Sequence, residues 1–223
     1  SFDRIKFLKL INFRSHSDFN LELSGKPVAI IGDNGVGKTN ILDAIHYLCQ
    51  TKSYFNYIDM QNIQFDSDYF MLKGIFEKGE VIDEIQCNFQ EFGGKTIKCN
   101  GKKYKRFSEH IGKFPVVIIS PTDTNLILEG SDVRRKYVDT SIAQYKKIYL
   151  KTLINYNKTL KQRNSLLKQF VDREYFDDIT LSTYDDQLIQ LGTMIHKERD
   201  DFLQALSPVF AKYYSEISGS KES

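Results

Sequence analysis

Residues 32–39, Gly32-Asp33-Asn34-Gly35-Val36-Gly37-Lys38-Thr39, constrain this chain more than any other stretch. They match the pattern G-x-x-x-x-G-K-[ST]. Its glycines let the backbone curl until several N–H groups face one phosphate, and the following helix adds its positive end. Lys38 is placed to reach the β and γ phosphates and Thr39 to offer its hydroxyl to Mg²⁺, so this segment with Asn40 predicts binding of a purine nucleoside triphosphate, ATP with Mg²⁺. The flanks agree with that mechanism. Val28-Ala29-Ile30-Ile31 reads as a short strand buried on both faces, and Ile41, Leu42, Ala44, Ile45, Leu48 and Cys49 recur at helical spacing. A glycine turn with an accidental lysine would need neither flank.

Around this loop the pattern is α/β. Ile5 to Phe13 reads as a strand, and Phe19, Leu21 and Leu23 alternate with polar neighbours. From Tyr69 to Lys105 short alternating strands suggest an antiparallel sheet, with turns at Lys78-Gly79, Gly93-Gly94 and Asn100-Gly101. The last is the strongest hairpin signal, because both central positions of a type I′ turn need positive φ. Val116 to Ile119 reads as another buried strand ending at Ser120-Pro121. Beyond it the chain turns helical, with Ser131 as a candidate N-cap. A seven-residue repeat through Tyr149, Leu153, Tyr156, Leu160, Leu167 and Phe170 is interrupted by Arg163. An acidic link, Asp172 to Asp178, leads to a second stripe of Leu181, Tyr184, Leu188, Leu191, Ile195 and Phe202, which together suggest an antiparallel helical hairpin. Pro208 is expected to end or kink the second helix, and residues 218–223 to fray.

Charge is lopsided where the total hides it. The formal net charge is only +2, yet Lys95 to Phe170 holds 17 Lys or Arg against 5 Asp or Glu. Such a region is the footprint of a surface that meets nucleic acid, or simply a solvated helix face rich in Lys. Candidates for phosphate contact are Lys102, Lys103, Lys105 and Arg106 after the Asn-Gly hairpin, and Arg134, Arg135 and Lys136 in the helical part. No apolar run approaches the roughly 20 residues that span a bilayer, so no membrane role is expected and a cytoplasmic location is. Cys49, Cys87 and Cys99 are far apart and lack metal-ligand spacing, which predicts reduced thiols. His46, His110 and His196 are given no role, and His16 a structural one.

Hydrolysis asks for more than binding. A carboxylate at the end of an apolar strand must hold the metal's water shell. Val116 to Ile119 is followed by Ser120-Pro121 instead; Asp123, two residues on, could approach the metal or its water, or cap a turn. The catalytic acid is left unassigned.

Several motifs beyond the loop coincide with one family. Asn12-Phe13-Arg14-Ser15-His16, GDNGVGKTN followed by Ile41-Leu42-Asp43-Ala44-Ile45, Thr51-Lys52-Ser53, Ile118 to Asp123, Gly130 to Asp139 and Lys161-Gln162-Arg163-Asn164 resemble the SMC-like ABC ATPases of DNA repair, more narrowly the RecF family. The resemblance implies a head with a nucleotide lobe over residues 1–130 and a helical lobe over 131–217. It also implies that Arg14 helps hold the nucleotide. In that family ATP is sandwiched between two heads, the dimer engages DNA near single-strand to duplex junctions, and recombinase is loaded with RecR and RecO, in association with the nucleoid. The family's signature Ser-Gly-Gly loop and Walker B acid have no counterpart here; Ile217-Ser218-Gly219-Ser220 is a superficial match. A truncated head is therefore expected, one that binds nucleotide without dimerising productively or turning ATP over, although the intact family proteins hydrolyse it. Whether this chain is an enzyme stays open. The alternatives are a P-loop small-molecule kinase, and another SMC-like ATPase that uses ATP only to clamp DNA.

Overall fold

The computed structural model describes residues 4–173 and 176–219, which divide into two compact units, Ser1–Pro121 and Thr122–Ser223. The first is built on β1 (Arg4–Phe13), β2 (His16–Glu22), α1 (Lys38–Gln50), β3 (Tyr69–Lys78), β4 (Val81–Gln90), β5 (Gly94–Cys99) and β6 (Lys102–Lys103). The strands form one antiparallel sheet in the order β2-β1-β3-β4-β5-β6.

Turn chemistry sets most of that order. Lys78 pairs with Val81 across a two-residue turn in which Gly79 has φ 63°. Cys99 pairs with Lys102 across Asn100 (φ 50°) and Gly101 (φ 77°), the double positive φ that the Asn-Gly signal demands. Alternation then sends Leu8, Leu10, Phe70, Leu72, Ile85, Cys87 and Ile97 to one face, where Ile41, Ala44, Tyr47 and Leu48 of α1 cover them. Gly74 in the middle of β3 makes room for this helix, since a Cβ there would lie 2.9 Å from Leu48 Cδ1. Cys49 and Cys87 sit in this core as free thiols, both pushed up to about 12 by burial.

Two expected strands are not formed. Among the described residues neither Val28–Ile31 nor Val116–Ile119 pairs into a sheet. Ile31, Val117 and Ile119 are 84–89% exposed, while Ile30 and Val116 pack against the core. A strand buried on both faces needs a hydrogen-bonded neighbour along its edge and a cover on its outer face. Among the described residues neither segment belongs to the sheet, and each is only half-covered. The sheet is all antiparallel.

The second unit carries a one-turn α2 (Asn125–Leu128), then α3 (Ser131–Tyr145), α4 (Lys147–Arg173) and α5 (Asp178–Ser218). Val138, Ile142, Tyr149 and Ile195 form its core, flanked by Leu153, Tyr156 and Phe202, so the repeats mark the packed stripe. Arg163, the break in the repeat, pairs with Asp185 across the α4–α5 hairpin. Gly130, not Ser131, is the N-cap of α3; Ser131 is already helical and its hydroxyl accepts from Arg135. Pro208 neither ends nor interrupts α5, which continues ten residues to Ser218 and closes on Gly219 at φ 63°. A proline removes one N–H from the ladder, which a long helix can tolerate. Asp177 caps α5 through Thr180; Glu174 and Tyr175 of the acidic link, and Ser220–Ser223 of the expected frayed end, lie outside the described residues.

Candidate nucleotide site

Gly37 is the pivot of the site. It is the N-cap of α1 at φ 93°, with no side-chain cap on the helix and no acidic residue in its first turn. An α-helix that begins this way keeps its first N–H groups and its partial positive charge for an external anion. Gly35, at φ 86°, turns the loop that leads in. Residues 32–36 are all exposed. Lys38 Nζ donates at 2.7 Å to the carbonyls of both Gly32 and Asp33, which folds the ammonium over the loop. Thr39 is exposed in the same first turn, so its hydroxyl fits a Mg²⁺ held mainly by phosphate and water. Among the described residues no cluster of three His, Cys, Asp or Glu could hold a metal by itself.

Behind the loop the structure is saturated. Arg14, at φ 51° in the β1–β2 turn, donates from Nε to Asn62 Oδ1 at 3.0 Å, from Nη1 to Asn40 Oδ1 at 3.2 Å and from Nη2 to Ser53 Oγ at 2.9 Å. Its Nη2 also pairs with Asp43 Oδ2 at 2.9 Å. Asp43 is fully buried on α1; Ser53 donates to Oδ2 at 2.7 Å, and the Tyr54 N–H to Oδ1 at 2.7 Å. This is the well-partnered form of a buried ion pair, in which both carboxylate oxygens are satisfied. The same turn presses on the loop: a Cβ on Gly37 would lie 2.2 Å from Ser15 Oγ and 2.6 Å from His16 Nε2. His16 Nε2 donates to Gly37 O at 3.0 Å, and Asn40 Nδ2 to Ser15 Oγ at 2.9 Å.

The fold bonds Arg14 to Asn40, next in sequence to the loop, with both side chains engaged on the protein. It adds Ser15, His16, Asp43, Ser53 and Asn62, which spacing could not assign. Asn-Phe-Arg-Ser-His and Thr-Lys-Ser were the available signals. Asp123 lies in a 3₁₀ turn, Pro121–Thr124, at the head of the second unit. Of the cationic candidates, Lys102 and Lys103 form the exposed β6, and Lys105 and Arg106 are exposed beyond it. Arg134 is spent on the carbonyls of Leu126 and Glu129, and Arg135 on Ser131 and Asp132. Lys136 is exposed on α3.

Two of the histidines left without a role, His110 and His46, are held by backbone carbonyls. His110 is fully buried: Nε2 donates to Leu48 O at 2.6 Å and Nδ1 accepts from Tyr104 OH at 3.3 Å. Burial lowers its pKa and keeps the ring neutral, as it does for His46, whose Nδ1 donates to Lys52 O. Lys95 reaches in from β5 to Asp59 Oδ2 and Thr51 O, both at 2.8 Å, and pins the end of α1.

An uncapped helix behind a glycine loop, packed on a sheet, defines a P-loop nucleotide-binding protein. The chain belongs to the AAA-domain family, whose model matches residues 8–217. Within it the relatives are RecF proteins. It is 43% identical over 216 residues to the DNA replication and repair protein RecF of Flavobacterium johnsoniae, covering 97% of this chain and 60% of that protein. To the RecF of Phocaeicola vulgatus it is 40% identical over 220 residues, covering 98% and 58%. A solved structure of the recombination mediator protein RecF with ATP, from the RecFOR pathway, superposes with a TM-score of 0.92 at 35% identity, covering 97% of this chain and 58% of that one. The chain therefore spans about 60% of the length of the relatives it matches. Among the described residues no helix is long and apolar enough to cross a membrane.

Proposed function

We propose that the chain binds ATP with Mg²⁺ at Gly32–Thr39 as the nucleotide head of a RecF-type recombination mediator. The observation that carries this is the bare N-terminus of α1 at Gly37, with Lys38 folded over the loop carbonyls. In binding, the β phosphate takes the N–H groups of residues 35–39, and Lys38 exchanges the carbonyls of Gly32 and Asp33 for β and γ oxygens. Thr39 contributes its hydroxyl to the metal, and Mg²⁺ supplies charge neutralisation between the two phosphates. Arg14 aligns the loop from behind through Asn40 and contributes to holding the nucleotide. Similarity to a RecF structure described with ATP supports the choice of ligand.

The reading extends to the partners in the same terms. Relatives named as replication and repair proteins support DNA as the macromolecular partner, contacted without sequence preference by exposed Lys102, Lys103, Lys105 and Arg106, with Lys136, Arg134 and Arg135 as further positions. ATP-dependent pairing of two heads, engagement of single-strand to duplex junctions, and action with RecR and RecO belong to the whole protein.

Titration of the chain with a fluorescent Mg–ATP analogue tests the core of this proposal. Saturable binding is expected, weakened about ten- to a hundredfold by Lys38→Ala, the loss of charge-assisted hydrogen bonds. Absence of saturation, or an affinity indifferent to Lys38→Ala, overturns it.

A further inference from the structure

α4 and α5 divide their charge. α4 carries seven Lys or Arg and one acid, Asp172, whereas α5 carries seven acids and three Lys or Arg. Complementation across the hairpin accounts for part of this, through Arg163–Asp185 and, just ahead of α4, Lys146–Glu198. It does not account for Lys161 and Lys168. Both are exposed, and among the described residues neither enters an ion pair. With Asn157 and Asn164 they stand at i, i+4, i+7 and i+11, one line along one face of the helix. That line borders an open trough of about 410 Å³ on α4, which Leu160 and Ser165 also line.

The composition of the stripe suits a polyanion. Ammonium, amide and hydroxyl groups are all among the side chains that contact phosphate oxygens. Rigid placement on a helix sets their pitch: the stripe is about 16 Å long, and Lys161 and Lys168 are about 10 Å apart, roughly three axial steps of one duplex strand.

We propose that Asn157, Lys161, Asn164 and Lys168 form a second phosphodiester-binding surface, on the helical unit, that tracks the backbone of DNA. This rests on the nucleic-acid half of the function proposed above and adds a site to it, away from the Lys102–Arg106 group.

Fluorescence anisotropy of the full chain with a labelled 20-nucleotide strand and a labelled 20-base-pair duplex, between 50 and 200 mM salt, provides the test. Lys161→Gln with Lys168→Gln is expected to weaken binding at least about fivefold at 50 mM. For the duplex it should also lower the slope of log affinity against log salt by about 1.8, the value for two lost contacts. Lys161→Arg with Lys168→Arg should retain the parent affinity. The pair Lys151→Gln with Lys197→Gln removes equal charge off the stripe and should leave the slope nearly unchanged. A larger loss for one of the two DNAs assigns the surface to that form. If the parent binds DNA and the stripe variant matches it, or matches the off-stripe pair, this inference alone falls. It falls too if polyglutamate competes as well as unlabelled DNA, the sign of an acidic protein partner. If the parent binds neither DNA, the nucleic-acid reading falls with it, while the nucleotide titration stands apart.

Discussion

The two sides of the glycine loop are built on opposite principles. Behind it, Arg14, Asp43, Ser53 and Asn62 close a network in which the buried carboxylate has every oxygen partnered. In front, residues 32–36 are exposed, the helix start is uncapped, and Lys38 makes do with two carbonyls that solvent could satisfy equally well. The rear is a closed set of hydrogen bonds; the front leaves a helix start with no side-chain cap. A binding site that must be both shaped and available separates these demands, placing rigidity one layer behind the contact atoms.

If that division is right, the largest effect on stability comes from the rear. Asp43→Ala strands the part-buried Arg14 guanidinium and leaves Ser53 Oγ and the Tyr54 N–H without their acceptor. Losing one partner of such a pair costs about 3–5 kcal/mol, so denaturant unfolding of the sheet unit should shift by about 3 kcal/mol or more. A shift below about 1 kcal/mol would show that the network is ornamental and would erase the contrast.

Gly37→Ala attacks the junction between the two sides. An Ala at φ 93° carries about 1–2 kcal/mol of backbone strain, and its Cβ would collide with Ser15 and His16. The β1–β2 turn must then retreat from the loop. About 2 kcal/mol of destabilisation is expected together with roughly tenfold weaker Mg–ATP binding. Stability lost with affinity intact would uncouple the rear from the front.

How much of this was legible in the residues differs by element. The hairpins at Gly79 and Asn100-Gly101, the helix after the loop and the loop itself follow from local rules, since turn dihedrals and hydrophobic period are set by near neighbours. The rear network was not legible: Arg14, Asp43, Ser53 and Asn62 lie up to 48 residues apart, and no spacing says which buried polar groups will satisfy one another. Val28–Ile31 and Val116–Ile119 show the reverse failure. Their composition is that of buried strands, but strandhood depends on a partner edge, which is a property of the sheet and not of the segment. Pro208 inside α5 shows a strong local breaker overridden by the helix around it.

A smaller, pH-dependent effect sharpens the account of the core under the rear side. His110 is neutral in the fold because burial lowers its pKa from 6.5, the backbone bond to Leu48 offsets only part of that, and Lys113 lowers it further while Asp83 pulls the other way. A folded pKa below the unfolded value means that the unfolded chain takes up the proton first as pH falls. Stability should therefore hold above about pH 6.5 and decline progressively below it, with His46 contributing in the same direction. In thermal melts from pH 8 to 5, His110→Gln should lower the midpoint at pH 7.5 and flatten the decline. An unchanged decline would place the protonation elsewhere.

The smallest stability effect is expected at the residue that matters most for binding. Lys38 is half-buried, but its two hydrogen bonds are exposed and their acceptors, Gly32 O and Asp33 O, belong to an exposed loop, so water replaces the ammonium with little loss. Lys38→Ala should shift the unfolding free energy of the ligand-free chain by no more than about 0.5 kcal/mol, within the range of an ordinary surface substitution. Excess Mg–ATP should then raise the melting temperature of the parent, because a ligand bound only to the folded state stabilises it in proportion to the logarithm of its concentration over Kd. The variant should show little of that rise. If Lys38→Ala instead destabilises the ligand-free chain by 2 kcal/mol or more (about the cost of a buried truncation), the ammonium is a strut of the loop. The open front would then hold up the fold just as the network behind it does.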